Sequence, residues 1–275
     1  MTMPSGNRPS NITRFEGFGD VYQRYRPEAP PHAAALILRY LGRRPELVLD
    51  LGSGTGLSSF VWLGRADRIV GIEPGADMRA QAEARLSGDS GAAASLSFAH
   101  GYSNRLAFDD DSADVVTCSQ SFHWMEPQST LREAARVLRT GGVFAAYDCD
   151  WPPAAGAEVE RAYMALTRKA DQVGEALSTP DARAIKADKE GHLEQLRRSG
   201  VFRYVRELVF HHAEPADAER YVGLAMSQGG VQAALRLDRD ALEPELAALR
   251  AAARTRFGDG EEPVEFGYRM RLGVV

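Results

Sequence analysis

The chain lacks several features that mark large classes of protein. Its 275 residues include 2 cysteines, Cys118 and Cys149, too few for a disulfide framework. Both fall in apolar segments that read as strands, where buried reduced thiols are the ordinary state, and a cytoplasmic location is the expectation. No apolar run approaches the length of a membrane-spanning helix, so no membrane partner is expected. Residues 1–13, with Pro4, Gly6 and Pro9, lack the apolar core of a signal peptide and are expected to form a flexible tail. Basic excess is missing too. The 33 Lys and Arg stand against 38 Asp and Glu, a formal net charge of −5, which disfavours nucleic acid as a partner. No metal site is expected: the adjacent His211 and His212 would point to opposite faces of a strand, so both cannot face one site with His192 without a distortion. What remains is an ordinary globular composition, 44% hydrophobic and 26% charged. The length fits one large α/β domain with insertions.

The chain is organised around Val48-Leu49-Asp50-Leu51-Gly52-Ser53-Gly54-Thr55-Gly56. This reads as a buried strand with a carboxylate at its end, running into a turn with glycine at alternate positions. Glycine there permits positive φ and lets a ligand approach the backbone. Ser58 to Arg65 is expected to be the first crossover helix, its free N–H groups facing the ligand. A second apolar strand, Arg68 to Ile72, ends in Glu73, about 20 residues beyond the glycines, where nucleotide-binding sheets place a ribose-binding carboxylate. The dinucleotide fingerprint requires a glycine three residues after its second one. Leu57 stands there instead, so the spacing fails.

The run from Asp50 to Gly56 resembles motif I of the class I S-adenosylmethionine-dependent methyltransferases, and Gly71-Ile72-Glu73-Pro74-Gly75-Ala76-Asp77-Met78 resembles their second motif. Leu138-Arg139-Thr140-Gly141-Gly142-Val143-Phe144 resembles the segment that follows the site in the small-molecule, type 11-like branch, so the resemblance spans roughly residues 15–150. It implies a Rossmann-like, mostly parallel seven-stranded sheet with an antiparallel last strand and helical cap insertions. It implies S-adenosylmethionine as cofactor, S-adenosylhomocysteine as its product, and a small-molecule acceptor with an O, N or C nucleophile. Cofactor contacts are expected from Asp50, Gly52, Ser53, Gly54, Thr55, Gly56, Glu73, Pro74 and Met78. Tyr102 and Ser103 would lie against the adenine, with Asn104 replacing the family's acid, and Ser119 and Gln120 would complete the floor. A pre-domain helix of the pattern Tyr22-x-x-Tyr25-Arg26-Pro27 would fold over the site. Tyr22 and Arg26 would meet the cofactor and Tyr25 the acceptor; the alternative is that the tyrosines only pack this helix onto the sheet. Phe122-His123-Trp124 resembles the branch's A-F-H-W stretch. His123 is the candidate general base, or else a packing residue, and Phe122, Trp124 and Trp151 are candidate acceptor contacts.

The remaining segments follow from periodicity. Helices are expected at His32–Leu41, Met78–Leu86 and Ser129–Leu138, the last ended by a glycine cap at Gly141-Gly142. Further helices are expected at Glu158–Val173, Lys186–Arg198, Glu214–Met226 and Arg239–Phe257. The Ser87–Ala94 segment and the acidic stretch Asp181–Asp188 read as solvated surface. Strands are expected at 96–101, 115–120, 143–148, 202–212 and 265–274. The resulting domains are a tail at 1–13, a cofactor-binding core at 14–150, a helical cap at 151–200, and terminal core strands at 201–275 interrupted by helices at about 214–258. A monomer or homodimer is expected. A cofactor-binding regulatory module, or an enzyme of this fold with non-methylating chemistry, is the alternative function.

Overall fold

The computed structural model describes residues 3–89, 91–179 and 183–275; Asp181 and the first two residues of the expected tail lie outside them. Among the described residues seven strands form one sheet: β1 (Leu47–Leu51), β2 (Arg68–Ile72), β3 (Leu96–Ala99), β4 (Ala113–Ser119), β5 (Leu138–Cys149), β6 (Tyr204–Ala216) and β7 (Glu262–Val274). Their spatial order is β3-β2-β1-β4-β5-β7-β6. The first five run parallel, and β7 runs antiparallel to both β5 and β6, as the expected fold requires. β1 is buried at every residue because both its faces are covered, which is why it reads as a continuous apolar run rather than an alternation. The chain moves outward through β2 and β3, then returns to place β4 on the other side of β1. That reversal opens a crevice at the carboxyl ends of β1 and β4.

Ten α-helices cover the sheet or its ligand edge among the described residues: α1 (Pro9–Thr13), α2 (Gly19–Tyr25), α3 (Pro31–Leu41), α4 (Ala76–Ser87), α5 (Pro127–Val137), α6 (Ala157–Leu177), α7 (His192–Ser199), α8 (Ala218–Met226), α9 (Gly229–Leu237) and α10 (Glu243–Phe257). α5 starts cleanly, with Pro127 in its first turn and the Glu126 carboxylate accepting from the N–H groups of Gln128 and Ser129, a capped N-terminus. α6, α8 and α10 meet through buried Tyr163, Tyr221 and Phe257 and form the helical cap. No helix among the described residues is long and apolar enough to cross a membrane.

Several elements differ from expectation. No α-helix follows the glycine turn; residues 58–65 hold only a 3-10 turn at Phe60–Trp62. The stretch is short and mixes two serines with β-branched and aromatic residues, and Gly64 at φ +73° ends it, so a helix has little to nucleate on. Gly141-Gly142 does not cap α5, whose last residue is Val137. β5 starts directly at Leu138 and bulges between Leu138 and Val143 against β4. Gly141 supplies φ +83°, and a Cβ on Gly142 would lie 2.7 Å from the Arg139 carbonyl, so the pair shapes a bulge. The expected Lys186–Arg198 helix is confined to α7, preceded by a short 3-10 turn. Residues 214–216 continue β6, and α9 had no counterpart in the periodicity. The N-terminal residues also carry structure: α1 brings a buried Asn11 against the site.

Candidate active site

The crevice is built from the glycine turn outward. Gly52, Gly54 and Gly56 sit at φ +64°, +57° and +86°, the left-handed region that side chains disfavour. Asp50 is fully buried and faces away from the cavity. It accepts from Ser58 Oγ at 2.6 Å, Ser59 Oγ at 2.7 Å and Thr117 Oγ1 at 2.9 Å, tying the turn to β4. Burial raises its pKa against these three hydrogen bonds. Glu73 reaches back from the end of β2: its carboxylate accepts from Gly54 N–H at 2.9 Å and Gly75 N–H at 2.7 Å. Burial pushes Glu73 up to about 6.

The cavity above this turn encloses about 1080 Å³ including its open mouth, and is lined by Gly52, Ser53, Gly54, Glu73, Pro74 and Met78 on one side. Tyr102, Ser103, Ser119, Gln120 and Trp124 line it from the neighbouring strand ends, and Tyr22 and Arg26 from α2 and its exit. Three expected contacts do not reach it. Asp50 braces the turn from below. Thr55 is buried beside it. Gly56 is held to glycine both by its φ of +86° and by packing, since a Cβ would lie 2.8 Å from the Phe98 ring. Asn104 is also diverted, donating to the Ser5 carbonyl and to Ser129 Oγ and accepting from Asn7 Nδ2. The tail therefore closes this corner of the cavity, and Asn7, Arg8, Asn11 and Phe15 join its lining. Asn11 is a staple: its Nδ2 donates to the Trp124 and Ile185 carbonyls and its Oδ1 accepts from Ile185 N–H. No periodicity marks such a residue.

A second chamber adjoins the first and shares Phe15, Tyr22, Arg26, Gln120 and Trp124 with it. His123, Trp151, Tyr163, Lys186 and Lys189 are among its other walls. Gln120 stands between the two at φ +52°, its amide donating to Cys149 Sγ at 2.8 Å. Phe122 does not reach either chamber; it is buried against Phe144 and His192. Tyr25 also turns away, packing on Gly223 and donating from its hydroxyl to Glu219 Oε1 at 3.0 Å. It belongs to the interface between α2 and α8.

Beneath the second chamber lies a buried charged cluster that sequence spacing did not connect. Asp148, near the end of β5, has Oδ1 3.2 Å from His123 Nδ1 and 3.0 Å from Lys189 Nζ. His192 Nδ1 is 3.6 Å from its other oxygen. Burial alone would raise Asp148, yet the facing His123 and the Lys189 charge hold its carboxyl well below the usual range. Burial lowers both His123 and His192 to about 4, against the pull of Asp148. Both imidazoles are therefore neutral near pH 7. Among the described residues no group of three or more His, Cys, Asp or Glu could hold a metal.

A mostly parallel sheet with this strand order, a glycine turn after its first strand and an acid after its second define the class I methyltransferase fold. The methyltransferase domain family matches residues 49–146, from β1 to β5. Over 207 residues the chain is 30% identical to a demethylmenaquinone methyltransferase of Beutenbergia cavernae, covering 74% of this chain and 78% of that relative. It is 36% identical over 121 residues to an uncharacterized methyltransferase of Mycobacterium tuberculosis, 44% of this chain and 46% of the relative. The chain thus spans about half the length of the first curated relatives it matches. A solved methyltransferase-fold structure from Anaeromyxobacter dehalogenans superposes with a TM-score of 0.61 at 21% identity, over 91% of this chain and 98% of that one. The chain belongs to the class I S-adenosylmethionine-dependent methyltransferase family, in the branch with the type 11-like domain.

Proposed function

We propose that the first cavity takes S-adenosylmethionine and that the adjoining chamber takes a small-molecule methyl acceptor. The observation that carries this is the juxtaposition of a glycine-turn cavity bearing Glu73 with a second chamber bearing His123, the two meeting at Gln120, Trp124 and Arg26. The residues fit the cofactor. Two of the roughly four lone-pair positions of the Glu73 carboxylate are used by backbone N–H groups, leaving acceptors for ribose hydroxyls. Arg26 has a buried Nε without a partner, and its guanidinium can meet the methionine carboxylate. Tyr102, Ser103 and Met78 would bound the adenosine.

When bound, the cofactor supplies an electrophilic methyl carbon on a sulfonium, which becomes a thioether as the methyl passes to the acceptor. The chain's own part is alignment and exclusion of water by the two joined chambers, together with proton removal. His123 is a neutral imidazole with Nδ1 facing Asp148, so Nε2 is the atom left to take the acceptor's proton. Asp148 then stabilises and orients the resulting imidazolium against the opposing charge of Lys189.

The test is transfer of labelled methyl from S-adenosylmethionine to a panel of small acceptors, including demethylmenaquinone, on which the Beutenbergia relative is named as acting. On any accepted substrate, His123→Ala should lower turnover by about 10²–10⁴ while S-adenosylhomocysteine affinity stays nearly constant. A loss below about threefold would make His123 a packing residue. Label transfer to no acceptor, with the cofactor bound, would favour a non-methylating role.

A further inference from the structure

The second chamber carries charge predominantly of one sign. Arg14, Arg26, Lys186 and Lys189 border it, against the single acid Asp171 among the described residues, and Asp171 is exposed. Of the four cations only Lys189 is ion-paired among the described residues, to Asp148 beneath the floor. The Arg14 side chain makes no hydrogen bond among them. Its Nε is buried without a partner, and its guanidinium lies 3.9 Å from the centre of the Trp124 ring. Arg26 bonds only the neutral Ser227 carbonyl and the Gln228 amide oxygen. The cations feel one another. Burial and then the charge of Arg26 bring Arg14 down to about 10, and burial and then Lys189 lower Lys186, with Arg14 and Arg26 adding to the effect. Such a cluster carries a desolvation cost and mutual repulsion that an anion seated among it would relieve. The same walls carry aromatic rings: Trp151 and Tyr163 stack on each other with centroids 6.5 Å apart at 13°, and the Arg26 guanidinium lies 4.4 Å from the centre of the Trp151 ring.

We propose that the acceptor is a small anion, bearing a carboxylate or a phosphate that Arg14 and Lys186 receive, in a chamber also lined by Trp124, Trp151 and Tyr163. This rests on the assignment of the first cavity to the methyl donor, which engages Arg26 and leaves Arg14 and Lys186 to the acceptor. The anion anchors the acceptor in the chamber whose wall also carries His123. Such an acceptor is favoured over a neutral quinol, which would leave the cations unmatched.

The experiment titrates the full chain, with and without saturating S-adenosylhomocysteine, with 1-naphthoate, 1-naphthyl phosphate and methyl 1-naphthoate, reading tryptophan fluorescence and thermal shift. At least one anion should bind at least tenfold more tightly than the ester, and 0.5 M salt should weaken it. Arg14→Gln should reduce anion affinity at least tenfold with S-adenosylhomocysteine affinity within twofold of the parent. Lys186→Gln, which keeps a polar side chain at that position, should reduce it at least threefold. The relative affinities of the two anions distinguish carboxylate from phosphate acceptors. Equal binding of ester and anion, no binding of either, or anion affinity indifferent to both substitutions overturns the proposal. Absence of S-adenosylhomocysteine binding with anion binding intact would instead remove the donor assignment.

Discussion

Glu73 carries two interactions at once. Its carboxylate holds the glycine turn through Gly54 and Gly75 and presents its remaining lone pairs to the cavity. Glu73→Ala should therefore weaken S-adenosylhomocysteine by about 1.5–3 kcal/mol, the scale of hydrogen bonds to a charged group, and also lower the urea midpoint. Calorimetry showing unchanged affinity would restrict Glu73 to bracing the turn. The cavity-lining residues that could be read from the sequence are those whose chemistry is set by backbone shape: Gly52 and Gly54 by positive φ, Glu73 by its place at a strand end. Asp50 and Gly56 were legible as special but not as to reason, because their partners, Ser58, Ser59, Thr117 and Phe98, arrive from elsewhere in the fold. Tyr25 and Phe122 sit beside cavity-lining residues in sequence yet point into packing. Asp148 was invisible as a partner of His123 because nothing in local spacing joins the end of β5 to the turn after β4.

At the scale of elements, the parallel strands were legible because strands covered on both faces leave uninterrupted apolar runs. The antiparallel β6–β7 pair came from alternation plus the family resemblance. The elements that misread are short or held by tertiary contacts. The segment after the glycine turn forms no helix because Asp50 recruits its serines as hydrogen-bond donors. α9 opens on Gly229-Gly230, a poor helix signal, and is held by Val231 and Ala234 packing into the cap core. α1 is five residues long and depends on Asn11. Asn11→Ala removes three hydrogen bonds that tie α1 to Trp124 and Ile185. It should weaken S-adenosylhomocysteine by about 1–2 kcal/mol through a loosened wall, measured by calorimetry. Unchanged affinity would mean that the wall holds without its staple.

Across the whole molecule, stability should depend on pH through the buried cluster. His123 and His192 bind protons at about 4 in the folded chain and near 6.5 when unfolded. Their folded values are depressed, so their contribution is complete above the unfolded value and is lost as pH falls toward about 4. Glu73, raised to about 6, acts oppositely: its stabilising contribution is present below its unfolded value and lost as pH rises through about 6. Between about pH 4.5 and 6 the two histidines and Glu73 thus partly offset one another. His192→Phe removes one histidine. Relative to the parent, its unfolding free energy should gain about 1.4 kcal/mol per pH unit as pH falls from 6 to 4.5, followed by urea unfolding. A pH-independent difference would show that His192 does not titrate as a buried neutral group.

The most direct test of the account is a calorimetric titration of the chain with S-adenosylhomocysteine and, separately, with NAD⁺. The glycine turn with Leu57 where a dinucleotide site needs glycine, together with Glu73 at the cavity wall, predicts one S-adenosylhomocysteine bound per chain and no heat from NAD⁺. Saturable NAD⁺ binding without S-adenosylhomocysteine binding would contradict it.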